Sequence, residues 1–344
     1  MKPPQQTAAA EEEGKLDLMR EVLSEGISRA RGERRVVREL ERQPFSGSSS
    51  FSTERIRARL DNGEWLDVFF KDLNPAGLLK EARRVREAGL ERSLRELRMY
   101  QEILAPLRLD TPEVYGSWCA PEEGICWLFL EDAGPKRLSR LGDFSLWVQA
   151  TRWVARLHAV DSRAIESRVD FLPCYDSTHF HDCARRLEGR LSNFETAQQE
   201  VIAEGLKRYH RVVDGLCELP RHLIHGEYFG KNVMIRPGVR DDAVAVIDWE
   251  TAAFGPRGVD LVSITAGRWT AEQRAVMCRA YISQYQIETG ETIGLQSLAA
   301  ELEQVALYRS LWWLGFWSHG DDAHINRWVA ELATVMGQPT IQAL

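Results

Sequence analysis

Cysteine is scarce, with 6 in 344 residues. Cys119, Cys126, Cys174, Cys183, Cys217 and Cys278 lie far apart with no C-x-x-C pair, which excludes a disulfide scaffold and reads as reduced thiols. No run approaches the ~20 apolar residues of a membrane helix, and the opening MKPPQQTAAAEEEG lacks the apolar stretch of a signal peptide. The expectation is a cytoplasmic chain with no membrane partner. An excess of positive charge is also missing: 44 Lys and Arg stand against 51 Asp and Glu, a net charge of -7. That balance argues against a nucleic-acid partner held by a global basic field. No repeat recurs at a fixed period. What remains is ordinary globular composition, 44% hydrophobic and 28% charged, at about twice the length of one domain.

Residues 1–14 are polar and acidic and are expected to form a disordered tail. Leu16, Met19, Leu23 and Ile27 then recur at helical spacing. From Arg35 the period shortens: a strand-like stretch, the small-residue segment from Ser46 to Ser50, the alternating ERIRARL, the turn signal Asp61-Asn62-Gly63 and the alternating EWLDVFFKDL predict three antiparallel strands. Gly47 among Ser46, Ser48 and Ser49 leaves backbone N–H groups able to approach an anion. Residues 76–107 read as helix, ICWLFLED as a buried strand, and SLWVQATRWVARLHAV as a helix with Leu146, Ala150, Trp153 and Leu157 on one face. Beyond Thr270 the chain reads as helices rich in Leu, Ala and Trp.

The chemistry concentrates in His225-Gly226-Glu227-Tyr228-Phe229-Gly230-Lys231-Asn232, then Val246-Ile247-Asp248-Trp249-Glu250, then Gly255-Pro256 and Asp260-Leu261. A carboxylate five residues before an Asn, followed by an Asp after a buried apolar strand, supplies what phosphoryl transfer needs. Glu227 would serve as base for the acceptor hydroxyl, and Asn232 and Asp248 as hard oxygen ligands for Mg²⁺. The Gly226–Asn232 stretch is not a P-loop, because the spacing is one short and no Ser or Thr follows the lysine. His179, His181, Asp182 and Cys183 lack a second ligand pair and read as a solvated helix start.

These motifs resemble the aminoglycoside phosphotransferase and choline kinase family, small-molecule kinases whose signature runs H-G-D-x-x-x-x-N, I-D-W/F-E and G-x-x-x-x-D-L. The resemblance extends from about Arg35 to the C-terminus. It implies a two-lobed, protein-kinase-like α/β (α+β) fold, with an antiparallel-sheet N-lobe over 15–130 and a mainly helical C-lobe over 131–344, and ATP between them. It further implies that Lys71 grips the phosphates and pairs with Glu96. The loop with Ser46, Gly47, Ser48 and Ser49 would cover those phosphates. Leu128 to Asp132, including Glu131, would form the hinge behind adenine, and Leu157-His158-Ala159 would end the helix before the catalytic loop. His225 would brace that loop. Glu250 would be either an acid behind the metal ligands or a structural hydrogen bonder.

Two departures stand out. Glu227 replaces the family's usual Asp, and Lys231 occupies a position commonly small, with its ammonium directed either to a phosphate or to solvent. The implied reaction is ATP- and Mg²⁺-dependent transfer to a hydroxyl of a small aminoglycoside-, choline- or sugar-like acceptor. The alternative is a catalytically silent nucleotide-binding module. A metal-dependent hydrolase using His225, Glu227, Asp248 and Glu250 leaves Lys71 and Glu96 without a role. The acidic residues Asp321, Asp322, Glu131 and Asp132 either make a negative mouth for a cationic acceptor or are ordinary surface. Some of Trp312, Trp313, Phe316 and Trp317 are candidates to line the acceptor pocket.

Overall fold

A computed structural model of the chain describes residues 4–45, 51–79, 90–107, 109–161, 165, 169–236, 244–267, 269–318 and 322–337. The chain divides into two compact units, Met1–Ala133 and Gly134–Leu344.

The first unit opens with helix α1 (Pro4–Arg31), which begins well ahead of Gly14, where ordered structure was expected. The reason is local: Ala8 to Ala10 and Glu11 to Glu13 are strong helix formers even without an apolar face. Farther along, Met19, Leu23 and Ile27 are fully buried, each contributing ~1.5–3 kcal/mol of apolar burial. They pack on Val37, Ile56, Val68, Tyr115 and Phe129. Gly26 permits the contact, since a Cβ there would lie 1.9 Å from the Tyr115 carbonyl oxygen.

Strands β1 (Val37–Pro44), β2 (Ser52–Leu60), β3 (Trp65–Asp72), β4 (Val114–Ala120) and β5 (Ile125–Glu131) form an antiparallel sheet in the order β1-β2-β3-β5-β4. The alternation in β2 does what a half-buried strand requires: Ile56, Ala58 and Leu60 turn inward, and Arg57 and Arg59 face water. Those arginines meet Glu41 and Glu39 across the β1–β2 pair, each at 3.0 Å. Strand β5 lies between β3 and β4 and is buried from Ile125 to Leu130, which explains its unbroken apolar run. The register sets Lys71 opposite Thr53 on one side and Leu128 on the other. Helix α2 (Leu90–Arg98) presents Ser93, Glu96 and Leu97 inward and continues into a π-helical turn, Met99–Leu104.

In the second unit, α3 (Phe144–His158) starts at an Asp143 cap, whose carboxylate accepts from Ser145 N at 2.9 Å. Helices α4 (Ser177–Glu188) and α5 (Thr196–Glu218) precede four short strands: β6 (His222–Ile224), β7 (Val233–Ile235), β8 (Val244–Val246) and β9 (Ala253–Gly255). These pair as β6 with β9 and β7 with β8. Helices α6 (Gly258–Ile264), α7 (Ala271–Thr289), α8 (Leu295–Trp317) and α9 (Asp322–Gly337) follow. Phe180, Leu187, Ile202, Tyr209, Leu311 and Leu332 join α4, α5, α8 and α9 in one core. Among the described residues no helix is long and apolar enough to cross a membrane.

Two histidines in this unit are held neutral. Burial brings His222 down to about 3, with the charges of His158 and Arg257 acting in the same direction. Burial likewise brings His179 down to about 4. An unfolded histidine takes its proton near 6.5, so stability is full above that pH and is lost as the pH falls toward 4. Each site is expected to cost ~2 kcal/mol at pH 4.5. Urea unfolding at pH 7, 5.5 and 4.5 checks this. His222→Asn, which keeps a donor toward the His158 carbonyl, should flatten the slope, and an unchanged slope would refute the assignment.

Candidate active site

The first unit supplies one buried ion pair. Lys71 Nζ lies 2.6 and 2.8 Å from the two carboxylate oxygens of Glu96, and both residues are buried. The strand fixes the lysine stem and α2 brings the carboxylate, so the ammonium is held in a single place. Glu131 ends β5, and its carboxylate accepts from the Glu113 N–H at 3.2 Å. Ser46, Gly47, Ser48 and Ser49 lie outside the described residues.

In the second unit the loop from His225 to Asn232 is held by hydrogen bonds to its main chain. The Asp260 carboxylate, fully buried at the start of α6, accepts from His225 N at 2.7 Å and from Gly226 N at 2.9 Å. His158 Nε2, at the end of α3, lies 3.2 Å from the same carboxylate, and its Nδ1 lies 3.0 Å from the Tyr281 hydroxyl. Burial alone would raise Asp260, but the hydrogen bond from His158, with the His158 and His225 charges and the His225 N–H, holds it below the usual carboxylate range. Gly226 has φ 84°, and a Cβ there would lie 2.3 Å from the Thr251 carbonyl oxygen, so no other residue fits.

His225 uses both ring nitrogens on the backbone. Nε2 meets the Ile247 carbonyl at 2.9 Å, and Nδ1 accepts from Glu227 N at 3.3 Å. This pattern suits an imidazole carrying its proton on Nε2 and assigns His225 to bracing. Tyr228 adds a second anchor, donating to the Ala150 carbonyl at 2.8 Å and stacking on Trp153.

Asn232 and Asp248 come together through the β7–β8 pair. Val233 lies opposite Val246, and just beyond it Ile247 N donates to the Asn232 carbonyl at 3.0 Å, so Asn232 and Asp248 both sit at one end of the ladder. The Asn232 amide nitrogen donates to the Glu227 carbonyl at 3.0 Å, which turns Oδ1 the other way. Asp248, with φ 74°, is the sole non-glycine residue with positive φ among those described. Such a conformation costs roughly 1 kcal/mol and is best tolerated by Asp or Asn. One amide oxygen and one carboxylate, both hard donors, fit a magnesium ion. Glu250 is buried two residues later.

Glu227 is buried, and its carboxylate lies 3.5 Å from Lys231 Nζ. Lys231 also extends over the Phe229 ring at 5.8 Å. Within the loop, its ammonium thus has a carboxylate partner. Glu227 lines a small cleft of about 20 Å³, open to solvent, together with Tyr175, Tyr308, Arg309, Trp312 and Trp313. Sequence reasoning did not single out Arg309, although it is the one charged residue in the apolar run VALYRSLWWLGF. Asp260 was seen as a motif residue, but its hold on the loop was not legible. The tempting His179 group is dispersed by packing: His179 stacks on Tyr175 and meets the Tyr308 hydroxyl at 2.6 Å.

The chain belongs to the phosphotransferase enzyme family, whose sequence profile matches residues 48–299. No curated protein matches it by sequence. Among solved structures it is similar to the macrolide 2'-phosphotransferase MphH from Brachybacterium faecium, at 18% identity and TM-score 0.52, covering 89% of this chain and 96% of that one. It is also similar to an ethanolamine kinase from Plasmodium vivax, at 12% identity and TM-score 0.57, with 86% and 82% covered. The GDP complex of aminoglycoside 2'-phosphotransferase-IIIa matches at 12% identity and TM-score 0.58, with 87% and 92% covered. The fold is therefore the protein-kinase-like α/β class that the resemblance implied.

Asp260→Asn should show how far the loop depends on this carboxylate. The variant keeps the shape but turns an acceptor into an amide donor facing backbone N–H groups, and a loss of ~2–4 kcal/mol is expected. Urea unfolding at pH 7 measures it, and a loss below ~1 kcal/mol would show that the clamp is dispensable.

Proposed function

We propose that the chain transfers the γ-phosphoryl group of ATP to a hydroxyl of a small molecule. One observation carries the reading: a rigidly braced loop ties the Glu227 main chain to Asn232, whose amide donates to the Glu227 carbonyl at 3.0 Å, and the β7–β8 ladder brings Asp248 to the same end.

Each residue then has a task. Glu227 accepts the proton of the acceptor hydroxyl as that oxygen forms its bond to the γ-phosphorus. The bond from phosphorus to the β,γ-bridging oxygen breaks, and ADP leaves with the electron pair. Lys71, fixed by Glu96, orients the phosphates. Asn232 and Asp248 would hold the magnesium, which supplies neutralisation of the charge on the phosphate oxygens. His225 directs both ring nitrogens to the backbone, Nε2 to a carbonyl and Nδ1 to an N–H, and takes no part in the transfer. No covalent enzyme intermediate is required.

Asp248→Asn is the sharper test of the metal ligand, because Asn tolerates the left-handed backbone that alanine would strain. It should fold normally and lose ~100-fold or more in transfer rate. Glu227→Gln should bind Mg²⁺-ATP with parental affinity in calorimetry yet lose ~100-fold or more in rate. Parental transfer by either variant toward an identified acceptor would remove that residue from its role. A parent that binds Mg²⁺-ATP and transfers to no acceptor would favour the silent binding module.

A further inference from the structure

Arg309 projects from the middle of α8, between the buried Tyr308 and Leu311, and is itself only 6% exposed. Its guanidinium has an unusual set of partners. Nη1 donates to the Val259 carbonyl at 2.7 Å and to the Ser263 hydroxyl, and the group lies over the Phe229 ring at 4.8 Å. Among the described residues no carboxylate lies within ion-pair distance of it. The nearby cations are treated differently: Arg257 pairs with Glu301 at 3.0 Å, and Lys231 with Glu227 at 3.5 Å. Burial lowers Arg309 below the ordinary arginine value, and the more distant charges of Asp260 and Glu227 do not offset it. Asp260 is already engaged by His158, His225 and Gly226.

An arginine does not shed its proton, so burying one without a counter-charge is costly unless something supplies that charge. The residue faces the cleft beside Glu227, whose walls are otherwise aromatic or small. Glu227 has Lys231 as its partner and Asp260 turns to the loop N–H groups, so among the described residues no carboxylate contacts the guanidinium in this cleft. An ammonium-bearing acceptor would meet a guanidinium with no carboxylate against it there. Of the acidic residues read as a negative mouth, Asp132 pairs with Arg55 at 2.9 Å and Asp321 lies outside the described residues.

We infer that the acceptor is an anionic alcohol. Its carboxylate or phosphate group docks on Arg309, its hydroxyl addresses Glu227, and its carbon body packs against Tyr308, Trp312 and Trp313. This rests on the phosphotransferase reading above and assigns Arg309 to substrate recognition. A guanidinium is suited to either anion because its planar donor fork matches both.

The test is calorimetric titration of the full-length chain with matched pairs: glycerate against glycerol, gluconate against glucitol, and glucose 6-phosphate against glucose, with choline and kanamycin as cationic probes. At least one acid should bind ~10-fold or more tightly than its uncharged partner, and which pair responds separates a carboxylate from a phosphate. Arg309→Gln should abolish that preference, and Arg309→Lys should restore part of it. With an acceptor that is turned over, Arg309→Gln should raise KM while kcat is kept. Preference for the uncharged or cationic probes, or a preference surviving in Arg309→Gln, would overturn the inference. So would a fall in kcat at unchanged KM, which would put the guanidinium on the transferring phosphoryl group. If both variants fail to fold, the matched pairs on the parent chain alone still decide. Absence of any Mg²⁺-ATP turnover would count against the phosphotransferase reading, and the binding preference would still report on Arg309.

Discussion

The carboxylate of Asp260 takes the first two N–H groups of the 225–232 loop and receives His158 from the end of α3. Three segments distant in sequence therefore converge on one buried charge, and the positions of the polar side chains that follow are inherited from it. His225 extends the same logic outward, joining the loop to Ile247, the residue before Asp248. The distance from clamp to metal-ligand candidates is thus spanned by hydrogen bonds to backbone, which are less free to rearrange than side-chain contacts. Placing a base to within an ångström requires that kind of support.

A second layer is aromatic. Trp153 stacks on Tyr228 and contacts Trp249, which in turn packs on His225. These rings are fully buried and pack against the loop through Tyr228 and His225. On the cleft side, Phe229 lies near both Lys231 and Arg309. The ring attracts each of these cations electrostatically.

Much of this arrangement was legible in the sequence, for physical reasons. Strand alternation in ERIRARL and EWLDVFFKDL gives the faces directly, so Lys71 could be located on β3, and the spacing from Glu227 to Asn232 and on to Asp248 carries the loop and ladder. The parts that were not legible depend on long-range partners. Nothing local to Asp260 announces that it accepts from residues some three dozen positions earlier, and Arg309 reveals its lack of a counter-charge only when α6 and α8 are packed. The start of α1 was missed because low apolar content was weighed above the helix propensity of its Ala and Glu residues. Lys231 was read as facing either phosphate or solvent; it is half-exposed, and its ammonium lies 3.5 Å from the Glu227 carboxylate, a partner the sequence did not announce.

That turn links the two departures from the family signature. Gly230 opens a 3₁₀ turn, Gly230–Asn232, and must be glycine because a Cβ would lie 2.6 Å from the Trp147 ring. The turn brings the Lys231 ammonium back over Phe229 to the Glu227 carboxylate. A glutamate carries one more rotatable bond than an aspartate and so more conformational freedom to lose. An ion pair to a half-exposed lysine adds little to stability, about 0–1 kcal/mol, but it is enough to favour one rotamer over its neighbours. The longer side chain and the lysine four residues later therefore read as one adjustment, in which the reach added by a methylene is confined by a charge that the shorter aspartate would not need.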